Sequence, residues 1–470
     1  MIVEFAVTLM VLVAIVVVAS LVIARQEREL RSWYWLAVGE YIFCGVAQMV
    51  WARLIAGGGD TLYYARSGTV LARFLEANFS WASWELFLMA IQQQSAFTGV
   101  WEGAGANTGS MCAISAFLVF FSGGSEFFPH FLVTGLSLFS ALSIFRASKE
   151  ACPDAPPIRL FVATVLFPSV AFWTSAMHKE SFCLMGLGLV MAAWRATRRG
   201  SWFKAIVCGC LGFGLVLLFR TAVVPPLVLG LMVYFVMHRV KTSRVKIAAP
   251  VYVLVAFVAL AGAMLVVSRV APKLGVDQIG DTFATEQQRW HTQGSAGGSA
   301  IDGVVGGEKG MSDKELQAMG PSPLSAQLTG VPIALLNSLF RPQLFDARNF
   351  GTVVSAIEMT TITLLVLRVL QKQGFMGAFR RVRSSPFLMM CAVITLVGCT
   401  GVGLVTLNFG SLARYRVPFL PFYGALVLVL SAKPSGATTP SVLRSPAVRR
   451  ALHRRTRPPT TPQPAAGQIP

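Results

Sequence analysis

An all-α polytopic integral membrane protein of about 12 to 13 transmembrane helices is the fold class this sequence predicts, on three observations. Hydrophobic residues fill 54% of the 470 positions and charged residues only 13%. Apolar runs recur at about 20 residues each, the length that crosses roughly 30 Å of hydrocarbon. Basic residues fall in short bursts between those runs, the pattern that fixes orientation in a membrane. The net charge of +19 is therefore read as membrane topology and not as a nucleic-acid footprint.

The first apolar run, 2–24, carries Glu4 as its only charge and lacks a basic leader, so it reads as a retained helix and not a signal peptide. Further spans are expected at 33–55, 107–122, 127–146, 158–177, 180–195, 204–219, 222–238, 247–268, 351–370, 386–406 and 415–432. Pro168 is expected to bend the run 158–177. Between them, WASWELFLMAIQQQSAFTGVW (81–101) contains Glu85 and three glutamines. The topology closes if this segment also crosses, shielded by other helices, or enters as a re-entrant segment buried in protein.

Six basic stretches, 25–31, 146–159, 195–204, 238–246, 368–383 and the tail from Lys433, hold 26 of the 40 lysines and arginines and are assigned to the cytoplasm. Residues 269–350 hold seven basic and eight acidic residues, no bias at all, and are assigned to an extracytoplasmic loop domain. The N-terminus is then outside and the C-terminus cytoplasmic. The chain divides into a transmembrane domain, 1–432, and a basic tail rich in Pro and Thr, 433–470, expected to be disordered against anionic inner-leaflet lipids. The glycine-rich stretch 294–310 has neither a preceding strand nor a Gly-Lys-Ser/Thr ending, which excludes a phosphate-binding P-loop. Almost all of the eight cysteines sit in apolar runs and behave as small hydrophobes, so no metal and no cofactor is implied.

The ionisable residues next to the membrane on the outer side are the functional candidates. FPSVAFWTSAMHKES (167–181) forms an outer hairpin turn bearing His178, Lys179 and Glu180. Successive helical side chains diverge by about 100°, so these three converge on one ligand only if the turn unwinds. The plain alternative makes Lys179 and Glu180 boundary markers beside Trp173 as an aromatic-belt residue. On the same side fall Asp60 in GGGDTLYYARSG, Arg220, Arg341 in LFRPQLF, and Arg414 and Arg416 in NFGSLARYRVPFLP. Arginines there need water or an anion to be tolerated. If 414–416 is extended, Arg414 and Arg416 project to one side and form a clamp for phosphate; on a helix they splay and the clamp fails. The alternative is an interfacial anchor for lipid headgroups. Asp60 is the first candidate base, in a glycine-rich turn and kept ionised by arginines, and Glu180 the second.

These motifs, with SLFRPQLFDARNF and the following helix bearing Glu358, resemble bacterial polytopic polysaccharide-assembly proteins. That broad set contains Wzy- and EpsG-type repeat-unit polymerases and GT-C glycosyltransferases. The resemblance implies a GT-C-like fold in the bacterial inner membrane and a polyprenyl-pyrophosphate-linked oligosaccharide as donor. Membrane lipid and other polysaccharide-assembly proteins are the implied partners, with no nucleic acid. It assigns Arg220, Arg341, Arg414 and Arg416 to phosphates, Lys179, His178 and Tyr415 to further substrate contacts, and Asp60 and Glu180 to acid–base work. One departure bears on Arg220, which is followed by Thr221 where the resemblance leads one to expect proline. The implied reaction is polymerisation of exopolysaccharide or O-antigen repeat units. A polyprenyl-phosphate-sugar-dependent transferase, a glycan ligase, a transporter or flippase, and a non-catalytic scaffold are the alternatives. Trp290 and His291 in the outer loop are expected to close over the sugars.

Overall fold

A computed structural model of the protein describes residues 2–55, 58–242, 248–270, 279–296, 301, 329–347 and 350–432. It is all-helical, with no strand among the described residues. The expected disordered tail, most of the glycine-rich stretch and half of the expected outer loop lie outside the described residues.

The N-terminal half comprises α1 (Ile2–Ala24), α2 (Arg28–Val50), α3 (Asp60–Ala77), α4 (Phe79–Ala90), α5 (Asn107–Phe121), α6 (Phe127–Ala151), α7 (Pro157–Thr164) and α8 (Pro168–Thr174). There follow α9 (Lys179–Arg198), α10 (Trp202–Arg220), α11 (Val224–Thr242), α12 (Ala248–Val270), α13 (Ile279–Ala296) and α14 (Val331–Phe340). The chain then forms α15 (Phe350–Ser384), α16 (Pro386–Val405), α17 (Phe409–Tyr415) and α18 (Leu420–Ser431).

Six described helices are long and apolar enough to cross a membrane, or up to eight if each bent pair counts as one span. This is fewer than the 12 to 13 expected, and most of the differences have a local cause. Residues 202–241 count once although they comprise α10 and α11, which match the spans expected at 204–219 and 222–238 and are separated by a 3-10 turn at Thr221–Val223. α5 has 15 residues, short for a span. Helix α9 is long enough but carries Lys179, Glu180, Arg195 and Arg198. The segment 81–101 is not a continuous helix: α4 ends at Ala90 and turns follow as far as Ala106. Pro168 occupies the first position of α8, and α7 and α8 meet at 43°. That bend is the one expected at this proline, whose missing N–H is harmless at a helix start. The basic burst 368–383 is not a loop but the second half of α15, broken at Gly374, whose φ of 65° favours glycine.

Two buried apolar clusters organise the bundle. The larger one joins α2, α6, α7, α9, α15, α16 and α18 and includes Tyr34, Phe145 and Phe161, with ring centroids 4.9–6.2 Å apart. The smaller one packs α3, α4 and α5 against Phe182 and Met185 of α9 and Phe219 of α10. Helices α9 and α10 approach through glycines. A methyl group on Gly186 would stand 2.7 Å from the Gly212 carbonyl oxygen, and one on Gly212 would stand 2.8 Å from that of Gly186. Small residues allow such close backbone contact where lipid supplies no hydrophobic drive between helices.

The basic ends of the helices gather together. Lys149 Nζ meets Glu27 at 2.8 Å, Arg195 and Arg199 both donate to Glu150 at 2.6 Å, and Arg198 reaches the Tyr234 hydroxyl at 3.4 Å. Lys241 donates to the Ser384 carbonyl, Arg381 to that of Leu430 at 3.0 Å, and Arg159 to the Ser431 hydroxyl at 2.8 Å. Five of the expected cytoplasmic stretches therefore share one end of the bundle, and α9 spans from it to Glu180, about 30 Å at 1.5 Å per residue. Replacing Gly186 or Gly212 with leucine should separate α9 from α10 and destabilise the bundle by about 1–3 kcal/mol or more. A lowered unfolding midpoint in detergent, measured beside the exposed Gly214→Leu change, checks this.

Candidate functional site

At the far end of α9 the chain unwinds. Helix α8 stops at Thr174, and Ser181 Oγ donates to the Thr174 and Ala176 carbonyls at 3.1 and 2.6 Å, holding the turn between the helices. His178 is extended, with φ −126° and ψ 153°, and α9 begins at Lys179. The condition for His178, Lys179 and Glu180 to converge is met. His178 Nε2 lies 3.0 Å from Thr61 Oγ1, Lys179 Nζ donates to Thr108 Oγ1 at 2.9 Å, and Glu180 faces Arg220 and Arg414.

Asp60 is the first residue of α3, entered through Gly59 at φ 97°, a left-handed conformation that glycine adopts without strain. The start of a helix favours an ionised carboxylate. Arg414, near the end of α17, links the site: its Nη2 lies 2.7 Å from Asp60 Oδ2 and its Nε donates to Glu180 Oε1 at 2.8 Å. Arg220, where α10 ends, ion-pairs with the same Glu180 oxygen and lays its guanidinium 4.1 Å from the Tyr415 ring centroid. Trp173 stands 5.8 Å from Arg414, and Trp290 of α13 packs edge-on to Tyr415 at 5.5 Å. Segments as far apart in sequence as 60, 180, 220 and 414 thus meet at one cluster.

The two carboxylates differ in access. The Glu180 side chain is fully buried, whereas that of Asp60 is 40% exposed. Burial pushes the Asp60 carboxyl up, but Arg414 more than reverses it, and the group stays below its usual range. Burial, reinforced by Arg414, pushes the His178 imidazole down to about 3. Burial and then Arg220 push Lys179 down to about 8. At neutral pH the site therefore contains ionised Asp60, neutral His178 and a Lys179 close to losing its proton. Glu180 Oε2, His178 Nδ1 and Arg220 Nε are buried without a hydrogen-bond partner among the described residues.

Arg341 and Arg416 form a second group. Residues 409–415 are helical, Arg416 follows in a helical conformation, and α17 meets α18 at 80°. Arg414 and Arg416 therefore splay apart, and the extended two-arginine clamp is absent. Fully buried Arg416 donates from Nη1 to the Arg341 carbonyl and from Nη2 to Ser355 Oγ, each at 2.6 Å. Arg341 is held by Asp346, through Nε at 3.0 Å and Nη2 at 2.5 Å, and lies 4.9 Å from the Phe409 ring centroid. Glu358 lies within electrostatic reach of Arg416 and accepts from the Ser169 backbone N–H at 2.7 Å.

Thr61, Thr108 and Ser355 complete these two groups and carry no signal in the sequence. Glu40 was legible as a lone carboxylate inside the apolar run of α2 and lies within electrostatic reach of Glu358. Glu358 is buried and Glu40 partly so, and ionisable groups inside apolar helices are costly.

No family model, curated protein or solved structure matches the chain. What the geometry defines is an all-helical membrane protein with an arginine–carboxylate cluster at the end opposite its basic loops. Glu180→Gln should leave two buried arginines short of a counter-charge and destabilise the fold by about 3–5 kcal/mol. Thermal unfolding in detergent checks this, with Asp60→Asn, at the exposed carboxylate, costing less.

Proposed function

We propose that the protein transfers a glycan from a polyprenyl-pyrophosphate-linked donor on the extracytoplasmic face of a bacterial inner membrane, polymerising exopolysaccharide or O-antigen repeat units. The observation that carries this reading is the meeting of Arg414 and Arg220 at Glu180 with Asp60 beside them. The basic end of the bundle is the cytoplasmic side in this reading, with the N-terminus outside and the C-terminus inside.

The roles follow from access and charge. Glu180, buried and ion-paired, is a positioning residue that fixes both arginines and takes no proton. Asp60, accessible and ionised, is the base: it orients the acceptor hydroxyl and receives its proton as the new glycosidic bond forms. Arg220 Nε and Lys179 face the pyrophosphate, which leaves with the electron pair of the broken sugar–phosphate bond. Fixed positive groups stabilise that developing charge without reorganising. The ring of Tyr415, between Arg220 and Trp290, offers an apolar surface to a sugar face.

A strain without the protein should accumulate single lipid-linked repeat units; unchanged long-chain polymer there would reject the polymerase reading. Asp60→Asn should lower polymer formation by about 10²–10⁴-fold, the usual worth of an acid–base group, without loss of the folded protein. Lys179 supplies a pH test. Its charge is present below about 8 and is lost above it, so affinity for farnesyl diphosphate, followed by Trp173 fluorescence, should fall as pH rises through about 8. Lys179→Arg should stay flat over that range, since arginine remains charged.

A transport reading draws on Glu40, Glu358 and Arg416, ionisable groups buried within or beside apolar helices. It expects Glu40→Gln to abolish function while Asp60→Asn preserves it, the reverse of the order expected of a transferase.

A further inference from the structure

At the basic end of the bundle lies a cavity of about 330 Å³ lined by Val22, Arg25, Gln26, Arg146 and Arg195. It sits where the turn between α1 and α2 meets the ends of α6 and α9. Its size falls at the lower end of small-ligand sites. The turn is tied by its own hydrogen bonds: Tyr34 donates to Gln26 Oε1 at 3.1 Å, Gln26 Nε2 to the Val22 carbonyl at 3.1 Å, and Arg31 to the Gln26 and Ala24 carbonyls at 3.2 and 3.0 Å. None of these bonds involves the Arg25 side chain.

Charge at the cavity is unbalanced. Glu27 is taken by Lys149, and Glu150 is shared between Arg195 and Arg199. Arg25 and Arg146 have no carboxylate within ion-pairing distance among the described residues. Two guanidinium groups without a carboxylate partner, beside a third held by Glu150, suit a phosphate ester, which accepts forked N–H donors. On the α1 side, Val22 lines the cavity, its neighbour Leu21 is 62% exposed, and Val18, one turn further from the basic end, is 45% exposed. An anion site at the end of an exposed apolar helix flank fits a molecule with a phosphate head and hydrocarbon chains.

We infer that this cavity binds the phosphate of an anionic membrane lipid, its acyl chains lying along the Val18 and Leu21 flank of α1. The site is independent of the transferase reading, being at the other end of the bundle. Basic loops that merely fix orientation need no such cavity, and a charge-matched change elsewhere at this end separates the two ideas.

The test uses the full chain in nanodiscs of mixed phosphatidylglycerol and phosphatidylcholine, with retained lipid counted by native mass spectrometry. Phosphatidylglycerol should be retained in preference. Arg25→Gln with Arg146→Gln should lower that preference roughly thirtyfold, about fivefold per basic residue. Arg25→Lys with Arg146→Lys should restore part of it, and Lys372→Gln with Arg380→Gln should leave it unchanged. Equal retention by wild type and the Arg25/Arg146 glutamine variant, or an equal loss in the Lys372/Arg380 variant, would overturn the proposal. Displacement of phosphatidylglycerol by added inorganic phosphate would assign the cavity to a soluble phosphate and overturn the lipid source.

Discussion

The interaction on which the far end of the bundle depends is the sharing of one guanidinium between two carboxylates. Arg414 faces Asp60 at one edge and Glu180 at another, and Arg220 closes on the same Glu180 oxygen. A buried carboxylate is tolerable only when paired, and Glu180 is fully buried. Satisfying it requires α10 to end at Arg220, α17 to bring in Arg414, and the hairpin between α8 and α9 to unwind so that Glu180 points inward. Four separate stretches of chain are thereby fixed relative to one another by charge, where hydrocarbon packing alone would leave their register loose.

The bundle is consequently polarised. One end collects the basic helix termini around Glu27, Glu150 and several backbone carbonyls; the other collects arginines around Glu180 and Asp60, with tryptophan and tyrosine rings against them. The helical backbone at 414–416 sends Arg414 and Arg416 to different partners, and the chain then turns through 80° into α18. Arg416 locks the Arg341 segment to α15 through the Arg341 carbonyl and Ser355, away from the Glu180 cluster.

Much of this was legible in the sequence because membrane chemistry is coarse. Apolar length and basic bursts located most helices and grouped the basic stretches correctly, since both signals rest on the cost of burying charge. The residues of the cluster were legible for the same reason: His178, Lys179, Glu180, Arg220 and Arg414 stand out against an apolar background. What failed depended on local backbone geometry. The phosphate clamp of Arg414 and Arg416 required residues 414–416 to be extended, yet the Asn408 side chain accepts from the Gly410 N–H and starts a short helix there. In sequence residues 81–101 allow either a shielded span or a re-entrant segment, and Glu85, accepting from the Ala96 N–H at 2.6 Å, folds the segment back on itself. Thr61 and Thr108 are indistinguishable in sequence from any other threonine, and only tertiary contact brings them to His178 and Lys179.

The central claim is that Arg414 joins Asp60 to the Glu180 cluster across the whole length of the chain. A double-mutant cycle on thermal stability, comparing Asp60→Asn, Arg414→Gln and the two combined, measures that link directly. The combined variant should be little less stable than Arg414→Gln alone, because the first change removes what the second would lose. Losses that simply add would contradict it.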